Sequence, residues 1–250
     1  MDIVLYLIPL SHPAEAARQM LEYKGIEYRA VSLLPGMHPA QVRLRGFRRA
    51  TVPAMKVDGR RIQGSRQIAA FLDELVPDPP LFPSDPAARR AVQEAEAWGE
   101  RSLQAVPRRL VRWGAGRETG VRIWIAELVG MPLPPVMAAL NLPVARVLGA
   151  RVNATDEQVR ADLAALPGLL DHVDALIADG IIGGEQPNAA DFQIGTSVRV
   201  LRELPGLTEL VQGRPCEAVA LRVMPEFPPG IPRFLPEAWI PPAPAPTAVT

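Results

Sequence analysis

Cysteine is almost absent from this 250-residue chain, and the single one, Cys216, excludes an intrachain disulfide framework and any cluster of thiolate metal ligands. No metal site is expected. Lysine is nearly as scarce, with only Lys24 and Lys56 present. The 27 basic side chains, mostly arginine, are balanced by 27 acidic ones, and the pI is near 6.9. No overall field therefore draws the chain to a polyanion or an anionic membrane, and neither nucleic acid nor a membrane is expected as a partner. Long apolar runs are missing too. The longest uncharged stretch, 128–145, carries Pro132, Pro134, Pro135 and Pro143, which argue against a spanning helix. The opening MDIVLYLIPLSHP has no basic region and meets Asp2 at once, so it reads as a first strand and not as a signal peptide. The compartment expected by default is the cytoplasm.

What remains is an ordinary globular composition. With 48% hydrophobic and 22% charged residues, the chain is long enough for a sizeable core in one or two domains. IVLYLI (3–8) reads as a strand, and PAEAARQMLEYKG (13–25) as a helix with Ala17, Met20 and Leu21 on one face and Gly25 as its stop. IEYRAVSLL (26–34) alternates as a strand, so the first unit is β-α-β and its strands are expected to be parallel. A weak helix follows at 39–47. VPAMKV (52–57) and RRIQ (60–63) flank the turn pair Asp58-Gly59, and SRQIAAFLDELV (65–76) places Ile68, Phe71, Leu72 and Leu75 on one helical face. The order β-α-β-α-β-β-α follows from pattern alone.

A proline-rich connector occupies 77–86, and beyond it there is no convincing strand. Helices are predicted at 87–113, 119–130, 136–149, 155–178, 189–203 and 215–224. The expected organisation is an α/β domain over 1–76, the linker 77–86, an all-helical domain over 87–240 pinned in part by Phe227, Phe234 and Trp239, and a flexible tail over 241–250. Asn188 and Asp191 are spaced as a helix cap and its third residue, a structural capping pair. Cys216 reads as inert packing.

Three stretches, LYLIPLSHP, TVPAMKVDG with GSRQIAAFLDE, and PNAADFQIGTSVRVL, together with this order of elements, resemble the cytosolic glutathione transferases over nearly the whole chain. The resemblance implies a thioredoxin-like N-terminal domain that holds the thiol, followed by an all-α C-terminal domain that supplies the electrophile pocket. It implies a cis Val52-Pro53 bond that exposes the Val52 backbone to the cysteinyl part of glutathione. It also implies a carboxylate-binding role for Gly64 and Ser65 at a helix N-terminus, although Ser65 reads equally well as a plain cap. Gly64 departs from the family, which usually has an acidic residue or glutamine there; Gln67 is a substitute amide. LSHP is closest to the serine-type theta and zeta classes, in which Ser11 would stabilise the thiolate and His38 would contact the tripeptide. Pro13 prefers the first helical position, which makes His12 the cap and leaves the Ser11 hydroxyl uncommitted. Leu10, Trp113, Trp124, Met131 and Trp239 are candidates for the apolar pocket.

The function so implied is conjugation of glutathione to a hydrophobic electrophile by a homodimer, with Arg66, Arg89, Arg90, Glu94 and Glu96 as its polar rim. Two alternatives stay open: a noncatalytic binding protein on the same scaffold, and an enzyme using another small thiol.

Overall fold

The computed structural model describes residues 1–242. Its first part runs β1 (Ile3–Leu7), α1 (His12–Tyr23), β2 (Arg29–Ser32), α2 (His38–Leu44), β3 (Ala54–Val57), β4 (Arg60–Gln63) and α3 (Ser65–Leu75). This is the order read from the sequence. The sheet order is β2-β1-β3-β4, with β1 parallel to β2 and antiparallel to β3, and β3 antiparallel to β4. The β3-β4 hairpin turns at Asp58 (φ 45°) and Gly59 (φ 90°), the paired positive φ values that favour Asp-Gly in a two-residue hairpin.

Both faces of the sheet are covered, and β1 shows how. Ile3 and Leu5 join Met20, Leu21, Ile68 and Leu72 in the larger core under α1 and α3, while Val4 and Tyr6 join Val42 and Phe47 in a smaller core under α2. Alternate side chains point to opposite faces, so a run without polar positions means burial on both. Each such side chain contributes about 1.5 to 3 kcal/mol by leaving water.

The helical part contains α4 (Pro86–Trp98), α5 (Ala105–Arg117), α6 (Thr119–Leu128), α7 (Pro134–Leu140), α8 (Leu142–Ala150), α9 (Asp156–Ala178), α10 (Ala189–Glu203), α11 (Thr208–Val211) and α12 (Pro215–Val223). Three differences from the sequence reading stand out. The segment expected as one helix over 87–113 contains a π turn at Gly99–Leu103 and extends to Arg117. The helix expected at 136–149 breaks at Asn141, just before Pro143, because proline is favoured in a first helical turn and not in a helix interior. The four-residue α11 is too short to leave a periodic signal.

Helix α10 is the hub of the larger core, buried at every residue from Ala189 to Leu201. The expected capping pair opens it. The Asn188 side chain accepts from Ala190 and Asp191 N–H, and Asp191 accepts from the Asn188 N–H at 2.9 Å, a reciprocal capping box. Asp191 also accepts from the Gly183 N–H and from Arg222. The chain after α12 folds back along the helices: Phe234 and Leu235 are buried, and the Trp239 ring lies 5.4 Å from that of Trp113. Of the tail expected to fray, 243–250 lie outside the described residues. No helix among the described residues is long and apolar enough to cross a membrane.

Candidate active site

The junction between β1 and α1 is built on a sharp turn. Leu10 takes φ 65°, a left-handed conformation uncommon for a branched side chain, and swings Ser11 to the start of α1. The Ser11 carbonyl accepts from the Ala14 and Glu15 N–H groups, both at 2.8 Å, so helical bonding starts one residue earlier than Pro13 suggested. Ser11, and not His12, is the cap residue. Its hydroxyl nonetheless bonds to no helix N–H and to no other partner among the described residues, so the side chain is free for a ligand beside the positive end of α1. His12 turns inward, is buried, and has Nε2 3.2 Å from the Gln104 carbonyl. Burial, aided by the Arg108 charge, holds its pKa down at about 3, so it is a neutral ring donating to that carbonyl.

Across the junction lies the loop that leads into β3. The Val52-Pro53 bond is cis. Val52 precedes the strand and is half-buried, and its main chain makes no turn or loop hydrogen bond among the described residues. Gln63, which carries no local motif of its own, holds this loop in place. Its amide nitrogen donates to the Arg49 and Thr51 carbonyls at 2.7 and 2.8 Å, and its oxygen accepts from the Arg49 N–H at 2.9 Å. His38 opens α2 and is 9% exposed, with Nδ1 buried and unpartnered among the described residues. Burial and the charges of Arg112 and Arg151 hold its pKa down at about 4.

Ser11, His38 and Val52 converge on one cavity of about 430 Å³, whose far wall is formed by α5, α6, the end of α8 and the returning tail. Leu10 and Trp124 line it, as expected for the apolar pocket. Trp113 and Trp239 pack on each other instead, and Met131 lines a smaller neighbouring cavity. A second cavity of about 430 Å³ shares Leu10, Ser11, His12 and Phe227 with the first, and its lining also includes Glu15, Arg18 and Glu226.

Gly64 and Ser65 stand apart from both cavities. Gly64 has φ 104°, and a Cβ added there would lie 2.3 Å from Oε1 of Gln67. The Gln67 amide thus fills the space that a side chain at 64 would occupy. Ser65 is the first residue of α3 and is 3% exposed, and its hydroxyl donates to Oε1 of Gln193 at 2.6 Å. Gln193 in turn donates to Gln104 Oε1, and the Gln104 carbonyl accepts from His12. This buried chain, Ser65-Gln193-Gln104-His12, fastens α3 and α1 to α10 and to the head of α5. It had no local signature, because its members lie 89 to 128 residues apart along each of its three links.

The helical wall also brings in Arg108, Arg112 and Arg151, which the sequence reading passed over. A signal existed: two arginines four apart on one helix face with no carboxylate at a matching position. The remaining cysteine is remote and unreactive, since burial and the nearby Asp174 push the Cys216 thiol up to about 12. No group of three or more histidine, cysteine or acidic side chains is placed to hold a metal among the described residues.

Residues 5–80 match the sequence model of the glutathione S-transferase N-terminal domain. No curated protein matches the chain by sequence. Among solved structures, a glutathione S-transferase from Rhodospirillum rubrum F11 is 20% identical, with 95% of this chain and 97% of that one covered at a TM-score of 0.61. The β-etherase LigF from Sphingobium sp. strain SYK-6 is 19% identical, with 89% and 94% covered at 0.58. A Methylobacterium radiotolerans glutathione S-transferase, in complex with glutathione sulfonate, is 19% identical, with 89% and 90% covered at 0.53. Residues 5–80 of this chain thus match the glutathione S-transferase N-terminal domain, and its whole fold is the thioredoxin-like domain followed by helices that those structures share.

Proposed function

We propose that the chain binds glutathione in the cavity between the sheet domain and the helices and transfers it, through sulfur, to a hydrophobic electrophile. The observation that carries this reading is the convergence on one cavity of an uncommitted Ser11 hydroxyl and a Val52 main chain that makes no turn or loop hydrogen bond among the described residues. The free N–H and C=O of Val52 suit antiparallel pairing with the cysteinyl residue of a peptide-like ligand. That pairing would set the thiol near Ser11.

A free thiol with a pKa of about 8.5 is only about 3% ionised at pH 7, and lowering that pKa by about 2 units raises the thiolate to about three quarters. Ser11 contributes by donating a hydrogen bond to the thiolate, with the N-terminus of α1 behind it. The thiol proton leaves to solvent. The thiolate sulfur then forms a bond to the electrophilic carbon, and the leaving group departs with its electron pair. Serine itself is never acylated or alkylated in this scheme.

A thiol other than glutathione is a second reading, favoured by one observation: the Ser65 hydroxyl is turned to Gln193 and away from the cavity, so a γ-glutamyl carboxylate would find only the backbone and Gln67 there. Calorimetry with glutathione, followed by turnover on 1-chloro-2,4-dinitrobenzene, tests both readings. Binding with turnover supports the transferase, binding without turnover supports a noncatalytic role, and no binding leaves another thiol to be sought.

A further inference from the structure

We infer that the helical wall of the cavity is an oxyanion site, and that the second substrate carries a carboxylate, sulfonate or phosphate group in addition to its apolar body. Arg108 and Arg112 sit one turn apart on the same face of α5, and both line the cavity. Neither has a carboxylate within ion-pair distance or a hydrogen-bond acceptor among the described residues; Arg151, at the end of α8, is in the same state. Their neighbour Arg109 shows the contrast, since it pairs with Asp162 and donates to the Val152 carbonyl at 2.9 Å. Among the described residues no acidic side chain lines this cavity.

Local structure gives no reason for such a cluster. Two like charges at i and i+4 on a helix repel, and neither Arg108 nor Arg112 has a carboxylate on α5 to offset it. The nearest acid acting on Arg108 is Glu100, which is engaged with Arg66. The fold, however, brings the third charge in deliberately close. A Cβ on Gly149 would lie 3.5 Å from the Arg112 carbonyl, so α8 approaches α5 closely at that point and carries Arg151 to the cavity rim. His38, 9% exposed, neutral, and with an unpartnered nitrogen, completes the opposite side. Arginine is suited to oxyanions because its planar fork donates two parallel hydrogen bonds.

The role as second-substrate site rests on the transferase reading, but the binding itself does not, so the test uses a probe without a thiol. Naphthalene-2-sulfonate and its neutral counterpart naphthalene-2-sulfonamide are titrated into the full chain by calorimetry. The sulfonate is expected to bind at least tenfold more tightly. Arg112→Gln and, at a more exposed position, Arg151→Gln should each weaken the sulfonate at least fivefold and the sulfonamide less than twofold, with unchanged circular dichroism and melting temperature. Equal affinity of the two probes, or binding of neither, overturns the inference. A last arm assigns the anion: saturation with S-methylglutathione should leave sulfonate affinity within twofold. Displacement would mean that the arginines serve the tripeptide's own carboxylates, and would overturn the assignment to a second substrate while leaving the transferase reading intact.

Discussion

The Ser65 hydroxyl donates to Gln193 Oε1 at 2.6 Å, joining the first residue of α3 to the middle of α10 across a sequence separation of 128 residues. Both side chains are buried, at 3% and 2% exposure, so neither can exchange this bond for one to water. Removing the hydroxyl strands a buried amide oxygen, which costs about 1 to 3 kcal/mol. Ser65→Ala is therefore expected to lower the urea midpoint accordingly. In the Ser65→Ala/Gln193→Leu double variant the two losses should be strongly nonadditive. A variant as stable as the parent but tenfold weaker for glutathione would return Ser65 to the ligand site.

Ser11 presents the opposite case, a hydroxyl with no partner among the described residues. Ser11→Ala should leave thermal stability nearly unchanged while lowering turnover at pH 6.5 by ten-fold or more, the order expected for one donor to a developing or bound anion. The remaining activity should rise with pH as the thiol ionises without help. A rate equal to that of the parent at every pH would remove Ser11 from the chemistry.

The buried histidines and Glu96 make stability depend on pH from two sides. His12 and His38 have pKa values depressed to about 3 and about 4, so below about pH 6.5 the unfolded chain takes up protons that the folded protein refuses. Each histidine then withdraws about 1.4 kcal/mol of stability per unit of acidification, until its own folded pKa is reached. Glu96 works in the other direction. Burial raises its pKa to about 8, so the fold keeps a proton that the unfolded chain has lost, and that contribution disappears as pH rises from about 4.5 to 8. Urea titrations between pH 4.5 and 8.5 should show Glu96→Gln gaining on the parent as pH rises, and His12→Asn losing its deficit as pH falls. Parallel curves for parent and variants would contradict both shifts.

We propose homodimerisation as well, through α3 and α4. Part of the rim expected from sequence is used within the chain: Arg66 lies 3.8 Å from Glu96 and 3.5 Å from Glu100, and Arg89 lies 3.2 Å from Asp73. Arg90 and Glu94 remain exposed for a partner. Equilibrium sedimentation should return twice the 27.1 kDa chain mass, and Arg90→Glu should shift the species toward monomer. A parent protein that sediments as a monomer at every concentration would defeat this.

Residues and spacing alone specified the elements of the first domain, because each is a local consequence of side-chain pattern. An unbroken apolar run makes β1, an Asp-Gly pair closes the hairpin, an Asn-x-x-Asp pair caps α10, and a proline two residues past Ser11 starts α1. Ser11, Val52 and His38, which do share one cavity, came from the family resemblance that the same stretches carry. Local pattern could not say which hydroxyl would be left free. Ser11 and Ser65 both stand at helix starts, and only the approach of α10 decides that Ser65 is consumed by Gln193 while Ser11 meets no partner among the described residues. Nor could it assemble Arg108, Arg112 and Arg151 on one cavity, where α8 packs on α5 and the charges of Arg112 and Arg151 bear on His38. Periodicity reports which face of a helix is apolar; the partners of a polar atom are set by contacts between segments far apart in the chain, and these exist only once the core has closed.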